Sequence, residues 1–406
     1  MGPAVRARQR RTVAMRDVAV LGVGMHPFGK FADKSVTDLC RDAVVAALAD
    51  AGIQWRDIEA VAAASSRFSG GKGWGLNGND VVEDMGSTGI PVYNMSAGCA
   101  AGGNAFNVGY ALVAGGIYDT VLVVGGEKMP KGFIQTSGVE EETDPEFLRQ
   151  RCVGMPGPSF WALLCRQRME EFGTTEEQLA KVAVKAHQIA VHNEYARFRK
   201  EFSLEQVLGS NMVSDPLRLF EICPVSDGAA AAVICSAEKA KQLASNPVWV
   251  AGSAVATMRF DDGLPRGLAG VVPPGRSYHS EASLAVEKAL TQAGAGPEDL
   301  DFVELQDNTV YYEFAFPEDW GLCKPGEAEH LLETNETLPT GKMPINPSGG
   351  FLCFGEATTA MGVFQVCELT WQLRDEAGPR QVPGAKLGLG QTLGLGGNAT
   401  AVVLKR

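Results

Sequence analysis

The stretch Asn94-Met95-Ser96-Ala97-Gly98-Cys99-Ala100-Ala101-Gly102-Gly103-Asn104-Ala105-Phe106 leaves a strand and enters a helix through small residues. Small side chains let backbone N–H groups approach a ligand, and a cysteine at a helix N-terminus has its thiolate favoured by the helix dipole. Cys99 is therefore a candidate nucleophile, with a buried structural cysteine as the competing reading.

Outward from this junction, apolar β-branched runs alternate with helical patterns. Residues 17–23, 59–64 and 120–125 read as strands, and 37–51 and 102–115 as helices. The second half repeats the plan, with strands at 248–256, 301–305, 386–391 and 399–404 and helices at 280–293 and 359–373. The alternation predicts an α/β fold with a buried, mostly parallel sheet covered by helices. Residues 51–61 and 293–303 share a helix ending in Ala-Gly, an acidic turn and a strand entry at identical spacing, which points to duplicated halves. The same endings also follow from ordinary C-cap and turn chemistry.

Between the halves, residues 128–216 are charged, rich in Met and aromatic residues, and helical around 160–172 and 175–192. A connection of that length is usually functional, and a cap over the substrate is expected. The domain reading is a disordered basic arm at 1–15, a first half at 16–127 and 217–246, the inserted cap at 128–216, and a second half at 247–406. Met15 is an alternative start.

A formal charge of −12 argues against nucleic acid or an anionic membrane surface as partner. No apolar run approaches the roughly 20 residues that span a bilayer. The nine cysteines are scattered, without a Cys-x-x-Cys pair or histidines at metal spacing, so no metal site is expected and a reducing, cytoplasmic compartment is.

Two further segments carry chemistry. In 346–362, paired glycines (Gly349, Gly350) imply tight turns beside a cleft, as do Gly394, Gly396 and Gly397 near the C-terminus. Glu356, in an otherwise uncharged stretch, is the acid/base candidate; the alternative is a carboxylate at a helix N-terminus. Gln306, Asp307 and Asn308 form a polar cluster at a strand end, where α/β sheets present catalytic groups. Tyr311 and Tyr312 follow, either as phenolic acids or as packing residues. The 181–199 region is the basic candidate for binding phosphates, against a solvated helix face.

These segments, with Asp215-Pro216-Leu217 leading into Cys223-Pro224-Val225-Ser226-Asp227-Gly228-Ala229, resemble the sterol-carrier-protein type of thiolase and related bacterial lipid-transfer proteins. The resemblance runs from Val18 to Leu404. It implies two duplicated βαβαβ halves in a five-layered αβαβα core, an inserted loop domain, a homodimer, and a coenzyme A thioester as substrate with no bound cofactor. Cys99 matches the acyl-accepting cysteine of that family. Glu356 stands where a Gly-His-Pro histidine belongs, and Gln306 and Asn308 replace the histidine and second cysteine of a His-Asp-Cys-Phe segment. None of the five histidines (His26, His187, His192, His279, His330) lies in these motifs. Gly396, Gly350 and Tyr311 are candidates for holding the substrate or its thioester oxygen.

Three functions stay open. A carboxylate does not stabilise a neighbouring thiolate as a histidinium does, which weakens ordinary thiolase catalysis without excluding Glu356 as a base for Cys99. Retro-aldol cleavage of a β-hydroxyacyl-CoA needs only a base and donors for the enolate, which Glu356, Gln306 and Asn308 could supply. Thiolase-like proteins of sterol side-chain breakdown are similar to this chain, act as aldolases and generally work with a small OB-fold partner. Retro-aldol cleavage of a branched or sterol-derived substrate is favoured, then acyl transfer through Cys99, then a non-catalytic acyl-CoA or lipid-binding subunit.

Overall fold

Ser35 accepts the Asp38 N–H at 3.1 Å while Asp38 accepts the Ser35 N–H at 2.8 Å, so α1 (Val36–Ala51) begins on a closed capping box. It ends at Gly52, whose φ of 65° takes the left-handed turn. The structure, a computed structural model, describes residues 15–65, 77–130, 157–244, 246–257, 280–394 and 397–406. All but Met15 of the expected basic arm lies outside them.

Around α1 the first half runs β1 (Val18–Gly29), β2 (Ala60–Ala64), α2 (Gly78–Met85), β3 (Val92–Met95), α3 (Ala101–Ala114) and β4 (Thr120–Lys128). The inserted segment holds α4 (Gly157–Phe172), α5 (Glu176–Ala190), α6 (Leu204–Leu208) and a hairpin of β5 (Met212–Ser214) and β6 (Leu217–Arg218). The chain returns through β7 (Asp227–Ser236) and α7 (Ala237–Leu243). Then come β8 (Val248–Thr257), α8 (Glu281–Ala293), β9 (Phe302–Glu304), α9 (Tyr312–Asp319), α10 (Ala328–Glu333), α11 (Gly350–Phe354), α12 (Met361–Leu373), β10 (Leu387–Gly394) and β11 (Asn398–Lys405).

The strands hydrogen-bond in the order β3-β2-β4-β7-β1-β8-β11-β10-β9. The halves meet at β1 and β8, paired only through Ala19 with Trp249 and Val20 with Val248. Outward from that seam both halves show the same succession: two antiparallel pairings, then parallel ones. The place of β3 is taken in the second half by a parallel bridge from Val303 to Ile345. The repeat extends to local detail. Gly52 and Gly294 end α1 and α8 at φ 65° and 66°, and Asp57 and Asp299 then accept the Gln54 and Gly296 N–H groups at 2.9 and 2.8 Å.

The sheet is mixed rather than mostly parallel. Continuous apolar runs report burial on both faces but carry no direction. Only three residues of sequence separate β10 from β11, and the two strands pair antiparallel, while β7 enters between β4 and β1 only after the cap.

Side-chain alternation along the strands sorts the core into layers. Val121 and Val123 of β4 face a central core shared with α3 and α12, while Leu122 and Val124 face an outer core with α1. In β11, Val402 and Leu404 join the central core, and Ala401 and Val403 join an outer core with α8. The layers are thus helix, sheet, paired central helices, sheet, helix. Buried ions fix the cap to the second half: Arg168 of α4 donates to Glu329 at 2.7 Å and Glu318 at 2.9 Å, and Lys185 of α5 donates to Glu313 and to the Ile345 carbonyl. Among the described residues no helix is long and apolar enough to cross a membrane.

Candidate active site

The chain leaves β3 at Met95, turns at Gly98 with φ 57°, and carries Cys99 on a single 3₁₀ turn before α3. Cys99 is half-buried. What faces it depends on how closely the two central helices approach. A Cβ on Gly102 would lie 2.7 Å from the Thr359 carbonyl, and one on Gly362 would lie 2.3 Å from the Gly103 nitrogen. Only glycine permits that seam, and it brings the 356–360 segment against the start of α3.

Glu356 lies between α11 and α12, so it is not a helix N-terminal carboxylate. Its backbone is held extended: its N–H donates to the Pro224 carbonyl at 2.6 Å, and its own carbonyl accepts the Ser226 N–H at 2.9 Å. The side chain is only 3% exposed. The Cys99 thiol lies against its carboxyl, and Asn308 Nδ2 donates to Oε2 at 2.9 Å. Oε1 has no hydrogen-bond partner among the described residues. Burial pushes the Glu356 carboxyl above the usual glutamate range, against the pull of the Cys99 and Asn308 hydrogen bonds.

Behind Glu356 the amides line up. The Leu393 N–H donates to Gln306 Oε1, and Gln306 Nε2 donates to Asn308 Oδ1. Asn308 Nδ2 serves both Glu356 Oε2 and, at 3.4 Å, Cys223 Sγ. With both hydrogens so used, Asn308 orients the carboxylate.

Asp307 points elsewhere. It accepts the Phe351 N–H at 2.6 Å and the Leu352 N–H at 3.4 Å, capping the first turn of α11. Burial, then the charge of Glu313, hold its pKa well above the usual range. Gly350, at φ 68°, packs on that carboxylate, where a Cβ would lie 2.3 Å from Oδ2. Tyr311 caps α9 beside Asp319 and Arg168, and burial raises its pKa. Gly396 lies outside the described residues, but its neighbour Gly394 abuts the Cys99 turn: a Cβ there would lie 2.2 Å from the Ala97 carbonyl.

The structure thus brings Cys99, Glu356, Asn308 and Gln306 together and leaves Asp307, Gly350 and Tyr311 in supporting positions. Two sets of contacts escaped the sequence, although Tyr312 is a candidate there alongside Tyr311. Cys223 lies against Asn308 although 85 residues separate them. Tyr312, rather than Tyr311, is the tyrosine whose pKa feels the Glu356 charge, and it accepts a hydrogen bond from Trp161 of the cap. Nothing local marks either arrangement.

The described histidines with resolved shifts lie in other surroundings. Burial lowers the pKa of His26, which sits beside Lys34, and pushes His187 down to about 4 against Phe202. In the 181–199 region Lys181 pairs with Glu177 and Lys185 with Glu313, which leaves Arg199 as its exposed cation. Among the described residues no group of three or more His, Cys, Asp or Glu is placed to hold a metal ion.

The sequence matches two family models, "Thiolase, N-terminal domain" over residues 18–238 and "Thiolase C-terminal domain-like" over residues 277–406. It is 36% identical over 395 residues to an acetyl-CoA acetyltransferase of Methanothermobacter thermautotrophicus, covering 96% of this chain and 99% of that one. It is 35% identical over 401 residues to sterol carrier protein 2 of Gallus gallus, covering 95% and 71%. Among solved structures it superposes on an Ltp2-ChsH2(DUF35) aldolase with a TM-score of 0.81 at 23% identity, covering 97% and 99%.

Proposed function

Because the chain belongs to the thiolase family, we propose that it cleaves a carbon–carbon bond in a coenzyme A thioester with Glu356 as the base, by retro-aldol cleavage of a branched or sterol side-chain β-hydroxyacyl-CoA. The observation that carries this reading is a buried carboxyl beside Cys99 whose Oε2 is oriented by Asn308 and whose Oε1 has no hydrogen-bond partner among the described residues. A carboxylate so placed can take the proton of a β-hydroxyl group, after which the C–C bond opens and its electron pair passes into the thioester enolate. Gly396, two residues along the sequence from the Gly394 that abuts the Cys99 turn, is the proposed N–H donor for the enolate oxygen. The acyl-CoA is substrate, with no resident cofactor in this scheme. The aldolase of similar fold carries a ChsH2(DUF35) partner in its name, and we extend the proposal to a small OB-fold partner protein and a homodimer.

A second reading, acyl transfer through Cys99, draws on the Cys99–Glu356 hydrogen bond and on the acetyl-CoA acetyltransferase relative. There Glu356 would accept the thiol proton as Cys99 attacks a 3-ketoacyl-CoA. The two readings part on Cys99. Wild-type protein and Cys99→Ala are incubated with β-hydroxyacyl-CoA and 3-ketoacyl-CoA panels, the first with the OB-fold partner present, followed by product analysis and intact-protein mass spectrometry. Release of a ketone or aldehyde by both proteins supports the aldolase. An acyl-sized mass gain on wild type alone, with activity lost in Cys99→Ala, overturns it in favour of acyl transfer. Acyl-CoA binding without cleavage of any thioester leaves only a binding subunit.

A further inference from the structure

Cys223 has no part in either scheme above, yet it sits at their centre. Its backbone is already fixed, since its N–H donates to the Asn308 carbonyl at 2.9 Å and Ile222 bridges Thr309. Its sulfur accepts Asn308 Nδ2 at 3.4 Å, the same nitrogen that donates to Glu356 Oε2 at 2.9 Å. The two acceptors therefore lie no further apart than those two contacts laid end to end. Among the described side chains hydrogen-bonded to Glu356 or Asn308, only Cys99 and Cys223 carry a titratable proton of their own. The Cys99 thiol already faces Glu356.

We propose that Cys223 is the acid that protonates the α-carbon of the coenzyme A enolate, an assignment that rests on the enolate-forming reading of the site. The proton count closes with groups present. Glu356 takes a proton from the reacting hydroxyl, and the C–C bond opens with its electron pair passing into the enolate. The Cys223 S–H proton goes to the α-carbon, and the proton on Glu356 then returns to the sulfur. One proton has moved from oxygen to carbon, and no oxidant, reductant or further reactant is consumed. Burial, then the Glu356 charge, keep the Cys223 pKa high, so that the thiol holds its proton at neutral pH. The Asn308 amide is placed to receive the transient thiolate.

The reverse of these two transfers, in which Glu356 takes the Cys223 proton and the thiolate then takes a proton from the α-carbon, is directly observable as exchange of α-protons in D₂O. Propionyl-CoA is incubated with wild type, Cys223→Ser and Cys223→Ala, and deuterium uptake is followed by mass spectrometry, with propionyl-CoA affinity and thermal midpoint measured on the same samples. Wild type is expected to exchange. Cys223→Ala is expected to slow exchange about 100-fold, and the near-isosteric Cys223→Ser at least about 10-fold, at unchanged affinity and midpoint. Exchange at the wild-type rate in Cys223→Ala overturns the assignment while leaving the enolate reading standing. Loss of exchange together with affinity in Cys223→Ser assigns the residue to packing and overturns it as well. If wild type does not exchange, the enolate reading fails and this inference with it.

Discussion

Asn308 divides its amide between Glu356 Oε2 and Cys223 Sγ, and Gln306 fixes which way that amide faces by donating to its oxygen. A hydrogen bond to a charged acceptor contributes about 1.5–3 kcal/mol, so freeing the carboxylate has a measurable cost. Asn308→Ala is predicted to lower kcat/KM about 10- to 100-fold at unchanged substrate affinity, measured by steady-state kinetics beside direct binding. The pH profile carries a second signature. Burial raises the Glu356 pKa, so the basic form is scarce at low pH and accumulates only as pH rises through a value above the usual glutamate range. The rate should therefore climb with pH and level off, with its midpoint higher than an exposed glutamate would give, and Asn308→Ala should move that midpoint further up.

At the scale of the element, the site depends on two helices that touch through glycine. The start of α3 carries Cys99, and the segment before α12 carries Glu356; they meet because Gly102 and Gly362 have no side chains to hold the backbones apart. Gly102→Val places carbon atoms where the Thr359 carbonyl now lies. It is predicted to destabilise the fold by about 1–3 kcal/mol in denaturant titration and to reduce activity beyond what the lost stability explains, because Cys99 and Glu356 separate. The helices and strands around this seam were legible in the sequence to within a few residues, since their apolar periodicity is strong. Strand direction was not, because β11 buries both faces whichever way it runs, and β7 was not legible as a strand at all.

For the whole molecule, the fold was readable from end to end because its motifs are local: a small-residue strand-to-helix junction, paired glycines, and Ala-Gly helix endings repeated in both halves. The site was readable only in part. Cys99, Gln306, Asn308 and Glu356 stood out by type and position, whereas Asp307 drew attention by charge and proves to cap α11. Tyr312 stood beside Tyr311 as a candidate phenolic acid, but its surroundings and those of Cys223 were hidden because their neighbours come from distant segments. One edge of the strand order is β3, whose Val92, Tyr93 and Met95 are half-buried and whose end leads directly to Cys99. Among the described residues the outer side of β3 is unpaired, and an unpaired edge invites a second strand. The proposed homodimer predicts a sedimenting species of twice the chain mass, and a monomer at micromolar concentration would reject it.

The account stands or falls on Glu356 as the base. The direct measurement is the cleavage rate of a β-hydroxyacyl-CoA by wild type and by Glu356→Gln, with binding of the same thioester followed in parallel. Glutamine keeps the shape and can still accept from Asn308 but cannot take a proton, so the rate should fall about 100- to 10,000-fold while binding persists. A Glu356→Gln protein that cleaves at the wild-type rate would contradict the account.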